Sequence, residues 1–172
     1  MKTYKVTKDN EGTIRWFNEE GQLHREDGPT IELANGTKSW HINGELHRED
    51  GPAVEEANGD KSWCINGHFH REDGPAYEGA NGTKQWLING RYHREDGPAV
   101  EGADGYKAWY KNGQYHREDG PAIERANGTK EWWINGGPLT EEEFNQRTQP
   151  HREMTVAQLE HELGYKIKIV KG

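Results

Sequence analysis

The chain repeats itself every 23 residues. The heptapeptide His-Arg-Glu-Asp-Gly-Pro-Ala, or a close copy of it, begins at His24, His47, His70, His93 and His116, with no insertion or deletion between copies. Self-similarity at such a period is typical of stacked structural units and not of a globule with one catalytic cleft. The repeat therefore constrains the shape of the molecule more tightly than its chemistry.

Each 23-residue unit predicts one β-hairpin. In the unit that begins at Gly51, two short strand-like segments flank Asn58-Gly59, and this dipeptide suits a type I′ turn, in which both central residues have positive φ. The same turn signal stands at Asn35-Gly36, Asn81-Gly82, Asp104-Gly105 and Asn127-Gly128. The proline of each unit suits the first position of a strand. We expect a mostly β fold, an elongated single-layer antiparallel sheet of tandem hairpins that advances roughly 10 Å per repeat.

Apolar residues alternate on the outgoing strand of each hairpin, which predicts one buried face. We expect the structural core to consist of the recurring tryptophans Trp40, Trp63, Trp86, Trp109 and Trp132. The residue that follows each tryptophan varies between repeats, so we expect it to face away from the core and to form a partner-binding face. This variable set is His41, Cys64, Leu87, Tyr110 and Trp133.

The two ends of the chain differ from the repeats, and we expect both to be caps. Residues 1–23 are interpreted as a degenerate N-terminal hairpin and residues 24–137 as five tandem repeats. Residues 138–172 predict a small α+β cap. Within it, capping boxes start helices at Thr140 and Thr155, Gly164 ends the second helix, and Tyr165 to Val170 forms a final strand.

The charged loops between hairpins are the obvious candidates for chemistry. In three of them the residues are His47, Arg48, Glu49, Asp50, His70, Arg71, Glu72, Asp73, His93, Arg94, Glu95 and Asp96. Because the loops are nearly identical, we interpret them first as links between repeats. Arg48 would pair with Glu72 or Asp73 of the next loop or with its own Asp50, and the histidine would stack on an aromatic ring or bond a loop carbonyl.

The same loops argue against metal binding and catalysis. Equivalent histidines about 10 Å apart cannot share one ion, so we expect no metal site. No repeat stands out as an active one, and no nucleophile elbow, Walker loop or dinucleotide fingerprint occurs. The sequence therefore predicts a protein that is not an enzyme and has no cofactor.

Composition narrows the choice of partner and compartment. The net charge is −8, and residues 24–137 hold 20 acidic and 13 basic side chains. Such a ribbon would repel a phosphate backbone, so we expect nucleic acid to be an unsuitable ligand; a basic partner surface fits, as would imitation of a nucleic acid. The single cysteine, and the absence of an apolar run long enough to cross a bilayer, predict a soluble cytoplasmic protein with no membrane partner.

The pattern Gly-x-aromatic or aliphatic, Asn-Gly, Trp, Asn-Gly, His, Gly resembles the MORN repeat, especially its bacterial variant in antitoxin-like proteins. The likeness covers residues 24–137 and, more loosely, 3–23. The tract Leu-His-Arg-Glu-Asp-Gly-Pro-Ala with Asn-Gly-Thr-Lys-x-Trp downstream also looks like repeat arrays encoded by tailed phages and large DNA viruses. The resemblance implies an elongated hairpin ribbon that binds proteins or dimerises. The family's lipid association is not carried over, because the Arg-Glu-Asp loop lies outside its pattern and the ribbon is acidic.

These observations lead to three functional hypotheses. The first is a non-enzymatic protein-interaction scaffold, a phage-type protein that binds and inhibits or modulates a host factor in defence or nucleic-acid processing, in the host cytoplasm. The second is capture of a small ligand, a nucleotide or a metal ion, between repeats. The third is an antitoxin-like or immunity role. Exposed end strands would also allow edge-to-edge homodimers.

Overall fold

The computed structural model describes residues 3–148 and 155–168. Within them the protein is mostly β, with a long open antiparallel sheet of 13 strands and two short helices near the C-terminus, as predicted. The strands are β1 (Lys5–Lys8), β2 (Ile14–Phe17), β3 (Ile31–Glu32), β4 (Lys38–Ser39), β5 (His41–Ile42), β6 (Glu45–Leu46), β7 (Val54–Glu55), β8 (Lys61–Ser62), β9 (Cys64–Ile65), β10 (His68–Phe69), β11 (Tyr77–Glu78), β12 (Lys84–Gln85), β13 (Leu87–Ile88), β14 (Arg91–Tyr92), β15 (Val100–Glu101), β16 (Lys107–Ala108), β17 (Tyr110–Lys111), β18 (Gln114–Tyr115), β19 (Ile123–Glu124), β20 (Lys130–Ile134) and β21 (Gly137–Leu139). The helices are α1 (Glu141–Thr148) and α2 (Val156–Leu163).

The main sheet is a narrow ribbon, because most of its strands contribute only two residues. Its strand order is β1-β2-β3-β4-β7-β8-β11-β12-β15-β16-β19-β20-β21. The register places glutamates and lysines opposite each other in alternation, in a set that we call the Lys/Glu row: Glu32, Lys38, Glu55, Lys61, Glu78, Lys84, Glu101, Lys107, Glu124 and Lys130. Opposite charges on directly facing strands stabilise a sheet by roughly 0.2–1 kcal/mol per pair, so this row favours the observed register.

Each repeat also contains a second hairpin that the sequence interpretation did not assign. The chain leaves the main sheet at the tryptophan, as at Trp63 between β8 and β9, and returns through a two-residue turn. The turn glycine then bonds the preceding second hairpin: Gly67 donates its N–H to the Leu46 carbonyl at 2.9 Å. The equivalent bonds join Gly44 to Leu23, Gly90 to Phe69, Gly113 to Tyr92 and Gly136 to Tyr115. Consecutive repeats are therefore joined along two lines, the main sheet and the row of second hairpins.

The type I′ turns lie at the second Asn-Gly of each repeat, so their predicted position at the first one is wrong. Asn66 has φ 49° and Gly67 has φ 75°, whereas at the first Asn-Gly only the glycine, Gly59, has positive φ. Gly59 N–H donates to the Glu56 carbonyl and Glu56 N–H donates to the Asp60 carbonyl, both at 2.9 Å. This is a three-residue loop built from a type I turn and a glycine bulge. Three residues, and not two, separate the bonded residues Glu56 and Asp60, so the loop cannot be a two-residue type I′ turn.

Small side chains occupy the most closely packed line of the ribbon. The residues after the prolines are fully shielded, at 0% exposure: Thr30, Ala53, Ala76, Ala99 and Ala122. The N–H of Trp63 donates to the Ala76 carbonyl at 2.8 Å, which brings the backbones of neighbouring repeats together at this line. The alanine methyl groups fit there, and the longer side chain of Thr30 fits because its hydroxyl accepts from the His41 N–H at 2.8 Å.

The predicted sidedness of the segment around each tryptophan is wrong. Three variable residues that were expected to face solvent are buried, with exposures of 9% for His41, 1% for Cys64 and 6% for Leu87. Tyr110 and Trp133 are half-buried. The expected core tryptophans Trp40, Trp63, Trp86, Trp109 and Trp132 are also only half-buried. The prediction treated the segment as one strand with alternating faces, but the chain changes from the main sheet to the second hairpin at the tryptophan, and the next residue turns inward between repeats.

Residues 5–23 follow the plan of the repeats. Gly12 N–H donates to the Asp9 carbonyl at 3.1 Å, and Trp16 N–H donates to the Thr30 carbonyl at 2.9 Å, as later tryptophans do to the residue after the next proline. Phe17 forms a bridge with Leu23 in place of the second hairpin. The ribbon therefore begins with a sixth, irregular unit.

Two capped helices follow the repeats. Both predicted capping boxes form: Thr140 bonds with Glu143, and Thr155 bonds with Gln158 at the start of α2, which ends at Gly164 with φ 72°. Helix α1 contacts β20 and β21 and buries Phe144. The predicted final strand is wrong for residues 165–168, which form no strand, and its last two residues lie outside the described part of the chain. Neither helix is long and apolar enough to span a bilayer among the residues the structure describes.

Candidate functional site

The arginine of every charged loop lies flat on the tryptophan that precedes it in the repeat. The guanidinium carbon stands 3.9–4.0 Å from the ring centroid in each of five pairs. The pairs are Arg25 with Trp16, Arg48 with Trp40, Arg71 with Trp63, Arg94 with Trp86 and Arg117 with Trp109. Such stacking is worth about 0.5–2 kcal/mol, depending on how far the pair is desolvated. It explains why the tryptophans need only half-burial to act as a structural element.

The same guanidinium is hydrogen-bonded on its edges. Arg48 Nε donates to Asp50 Oδ1 at 2.9 Å, and its terminal nitrogen donates to the Pro52 carbonyl at 3.1 Å and to Glu55 Oε1 at 3.2 Å. Arg71, Arg94 and Arg117 make the corresponding three bonds, and Arg25 makes the first two. These arginines are consequently held in place by the fold, through the ring face and through the bonds of Nε and one terminal nitrogen.

These bonds show which of the predicted partners Arg48 binds. Pairing with its own Asp50 is confirmed, whereas pairing with Glu72 or Asp73 of the next loop is not what the structure shows. Arg48 reaches instead to Glu55 of the Lys/Glu row, seven residues onward. The sequence carried a signal for this partner, because a glutamate stands at the same offset after every loop arginine.

A glycine is required beside each loop arginine for reasons of space. A Cβ built on Gly51 would lie 2.9 Å from Arg48 Cζ, and one built on Gly74 would lie 2.9 Å from Arg71 Cζ. Real Cβ atoms do not approach a planar cation so closely, so any side chain here would push the guanidinium off its tryptophan. The Gly-Pro of the loop is thus part of the same arrangement as the arginine.

Each loop histidine joins its repeat to the next one. The backbone N–H of Asn66, in the type I′ turn of the following repeat, donates to His47 Nδ1 at 3.2 Å. The other four loop histidines accept the equivalent bond at 3.1–3.3 Å. The same Nδ1 lies 2.9 Å from Asn66 Oδ1, and Nε2 lies 3.8 Å from Glu49 Oε1. Within the described part of the chain, the structure shows no bond from these rings to a backbone carbonyl of the loops, and of the five only His24 is stacked on an aromatic ring, that of Tyr4.

With arginine and histidine occupied, the outer surface of the loops presents carboxylates. The side chains of Glu49 and Asp50 are 85% and 84% exposed, and those of Glu95 and Asp96 are 84% and 83% exposed. Equivalent pairs stand at Glu26 and Asp27, Glu72 and Asp73, and Glu118 and Asp119. We call these ten residues the carboxylate edge. It follows one side of the ribbon at the repeat spacing.

The aspartates of the carboxylate edge are held in their charged form. The hydrogen bond from Arg48 lowers the pKa of Asp50 below its ordinary value, and the hydrogen bond from Arg71 does the same for Asp73. The pKa values of Asp27, Asp96 and Asp119 are lowered for the same reason. These carboxylates therefore stay ionised in mildly acidic solution.

Consecutive loops enclose open grooves on the ribbon. One groove has Trp40 and Ile42 as its floor, with the loops around Asp27 and Asp50 as its walls. A second groove, with Trp109 at its floor, lies between the loops around Asp96 and Asp119. Each groove also contains the arginines of both loops, and one of them, Arg48 in the first groove and Arg117 in the second, lies over the tryptophan ring. The exposed charged groups of the walls are the carboxylates, which suit a cationic group.

The variable residues face the residue two positions after the second Asn-Gly, across the second hairpin: His41 faces Leu46, Cys64 faces Phe69, Leu87 faces Tyr92 and Tyr110 faces Tyr115. Together these residues form a line along the row of second hairpins. Near the C-terminal end this line is a row of aromatic rings. The ring centroid of Tyr110 lies 4.9 Å from that of Tyr92 and 4.3 Å from that of Tyr115. The ring centroids of Tyr115 and Trp133 lie 5.4 Å apart. Burial raises the pKa of Tyr110, and burial raises the pKa of Cys64 to about 11. These residues stabilise the stack of repeats.

Neither a metal-ligand cluster among the described residues nor a match to a known family was found. Among the described residues, no group of three or more histidine, cysteine, aspartate or glutamate side chains could hold a metal ion. Comparison with protein-family models gave no match, and comparison with curated proteins gave none either. The resemblance to MORN repeats therefore stays a prediction.

Proposed function

We propose that this protein is a non-enzymatic interaction scaffold that docks a basic partner surface along its carboxylate edge. The observation that carries the proposal is that the charged side chains of each loop fall into two groups, one bonded within the fold and one exposed to solvent. Arginine and histidine are held by the fold, whereas the two carboxylates of each loop face solvent. Each loop has one arginine against two exposed carboxylates, so the row has a net negative charge on a rigid support, and such a row attracts cationic groups and sets the orientation in which they dock.

The spacing of the charges favours a protein partner over imitation of a nucleic acid. Each loop has one arginine and two carboxylates, so the edge carries about one net negative charge per repeat of roughly 10 Å. Duplex DNA carries one charge per about 1.7 Å, about six times that density. A peptide in the polyproline II conformation advances about 9 Å in three residues and presents every third side chain on the same side, so arginine or lysine at every third position would match successive loops.

The likeness of the sequence to viral repeat arrays indicates which partner to test first. A phage-type protein acting on a host defence or nucleic-acid enzyme would meet basic surfaces, because such enzymes bind phosphate backbones with lysine and arginine. The carboxylate edge offers the complementary charge. Inhibition would follow from occupying that surface, with no chemistry performed by this chain.

A matched pair of variants tests the proposal. The loop variant carries Glu49→Gln, Glu72→Gln and Glu95→Gln, which removes three of the ten carboxylates of the edge and leaves the arginine bonds in place. The control carries Glu19→Gln, Glu20→Gln and Glu56→Gln, exposed positions outside the loops with the same change in net charge. The probe is a fluorescein-labelled twelve-residue peptide with arginine at every third position and serine and glycine elsewhere.

We expect the loop variant to bind this peptide about tenfold more weakly than the wild type, since three exposed ion pairs of about 0.5 kcal/mol each are lost. The control should keep the wild-type affinity, and added salt should weaken both. Affinity purification from the host with the same two variants then identifies the natural partner by mass spectrometry. Equal affinity of the loop variant and the control would contradict docking along the edge.

Small-ligand capture between repeats is the second candidate, and the open grooves between loops favour it. A loop arginine covers one face of the tryptophan in each groove, and the exposed carboxylates of the walls would bind the cationic end of a ligand. A cationic small molecule such as agmatine would occupy one site per groove. Calorimetry with agmatine that gives several equivalent sites per chain would favour this candidate, and heats no larger than dilution would exclude it.

A further inference from the structure

The two ends of the main sheet are not equivalent. At the C-terminal end, β21 contains Pro138, which has no N–H to offer a further strand, and α1 contacts both β20 and β21. At the N-terminal end, β1 pairs with β2 alone among the described residues. The ribbon therefore has one open strand edge, at β1.

The hydrogen-bond pattern shows which backbone groups face the open side of β1. In an antiparallel sheet, successive residues bond alternately to the strand on one side and the strand on the other. Asp9 N–H bonds the Thr13 carbonyl within the first hairpin, and Trp16 N–H bonds Thr30 on the far side of β2. By this alternation the N–H and C=O of Val6 and Lys8 point away from β2. A two-residue face of this size is what most other strand pairs in the ribbon use.

Lys8 reverses the charge pattern at this edge. It precedes the first turn as Glu32 does in the next unit, so it occupies the place that a glutamate holds in the incoming strand of all five repeats. Its cross-strand neighbour is Ile14, which carries no charge. Lysines within the Lys/Glu row, such as Lys61, lie between two glutamates. Lys8 thus lacks a cross-strand carboxylate on both sides.

This reversal decides what the edge accepts. A further repeat-like unit, or a second copy placed as the next repeat, would bring an outgoing strand whose lysine faces Lys8, as Lys38 faces Glu55. Two copies joined by antiparallel β1 strands would pair outward residues with outward residues, either Lys8 with Lys8 or Lys8 with Val6. None of these arrangements places a carboxylate opposite Lys8, and two of the three place a like charge there, which is unfavourable. A strand with a carboxylate opposite Lys8 would continue the alternation.

We propose that the β1 edge is a second docking site, which binds an extended segment of a partner protein with an acidic residue opposite Lys8. The incoming segment becomes the fourteenth strand of the sheet. Its backbone bonds the N–H and C=O groups of Val6 and Lys8, and its carboxylate pairs with the Lys8 ammonium. The site lies at the end of the ribbon and is independent of the carboxylate edge, which binds groups of opposite charge.

The test uses two capped nine-residue peptides of alternating threonine and valine, with one central residue that is glutamate in the first peptide and lysine in the second. Binding is measured by fluorescence anisotropy, and amide exchange of Val6 and Lys8 is followed by NMR. We expect the glutamate peptide to protect both amides and to bind at least fivefold more tightly than the lysine peptide. Lys8→Glu should reverse this preference.

Val6→Pro removes one outward N–H without removing a bond between β1 and β2, and it should abolish binding of the glutamate peptide, whereas Val6→Thr should retain it. Unchanged melting temperatures establish that the variants fold. If Val6→Pro fails to fold, the change in peptide preference of Lys8→Glu tests the proposal by itself. Three results would overturn the proposal: equal affinity for the two peptides, binding that survives Val6→Pro, or no binding up to about 1 mM. A dissociation constant of about 1 mM is the weakest affinity that we would count as docking by a single strand. A dimer in sedimentation that Val6→Pro dissociates would overturn it as well, in favour of a second copy at this edge. The loop variant of the carboxylate edge should bind both peptides as the wild type does, so the two proposals fail separately.

Discussion

The guanidinium of Arg71 lies 4.0 Å from the centroid of the Trp63 ring while its Nε donates to Asp73 at 2.8 Å. One side chain thus links the tryptophan of its repeat to the carboxylate edge. The arrangement recurs in five loops, so the most polar segment of each repeat is also one of its structural joints.

Arg71→Lys should lower the free energy of unfolding by about 2 kcal/mol. Lysine keeps the charge but cannot lie flat on Trp63 or make three edge bonds at once. Urea unfolding followed by tryptophan fluorescence measures the effect. Arg91→Lys, at an exposed position of β14, is the control and should change stability by less than about 0.5 kcal/mol. Similar losses for the two variants would show that the stack contributes nothing.

Asn66→Ala should destabilise the protein by about 1 kcal/mol, and Asn58→Ala should cost less. Asn66 has φ 49°, a conformation that alanine adopts with strain, whereas Asn58 does not have positive φ. Asn58 contributes only a side-chain bond to the N–H of Asp60, at 3.0 Å. Thermal unfolding of the two variants compares them directly. The reverse order would place the type I′ turn at the first Asn-Gly, as the sequence pattern suggested.

Tyr110→Ala should destabilise the ribbon by about 3 kcal/mol, a typical cost for removing a large aromatic ring from a packed site. The ring lies between Tyr92 and Tyr115 in the aromatic line, so its removal leaves a gap between repeats. Tyr165→Ala, at a side chain that is 63% exposed, is the matched control and should be nearly neutral. Calorimetry measures both. A stable Tyr110→Ala variant that loses partner binding would restore the variable face as the recognition surface.

Cys64 should react slowly with iodoacetamide in the folded protein at pH 8. Burial raises the pKa of its thiol to about 11, so the reactive thiolate is scarce, and the side chain is only 1% exposed. In urea the thiol should react at the rate of a free cysteine. Mass spectrometry of timed samples gives both rates. Rapid labelling without denaturant would mean that the second hairpin of this repeat opens readily.

The stability that Asp73 contributes should be present at neutral pH and lost in acid. The Arg71 hydrogen bond holds the pKa of Asp73 below its ordinary value of 3.8 in the folded protein. As the pH falls, the unfolded chain binds the proton first, so the contribution persists above about pH 4 and disappears as the pH passes through the lower, folded pKa. The difference in urea midpoint between wild type and Asp73→Asn should therefore be clear at pH 7 and shrink as the pH falls below about 4. A difference that does not depend on pH would assign the effect to the shape of the side chain and not to its charge.

Most of the fold followed from short-range signals in the sequence. The 23-residue period, the prolines at strand starts and the Thr140 and Thr155 capping boxes each depend on neighbouring residues, and the structure has the hairpins and both helix starts that they predict. The candidate site was only partly predictable. The Arg48 to Asp50 pair spans two residues and was foreseen, whereas the histidine bond to Asn66 spans 19 and was not.

The amino-acid sequence alone determined that the chain is a stack of like β units, because turn and strand preferences act within a few residues and are repeated without interruption. Only the tertiary structure decided which side chains are inside. The backbone changes direction at each tryptophan, so Cys64 and Leu87 turn inward while arginines cover the tryptophan rings, and sidedness then depends on contacts with the next repeat. The outward surface that results, a line of carboxylates with their cationic neighbours already bound, is a consequence of that packing.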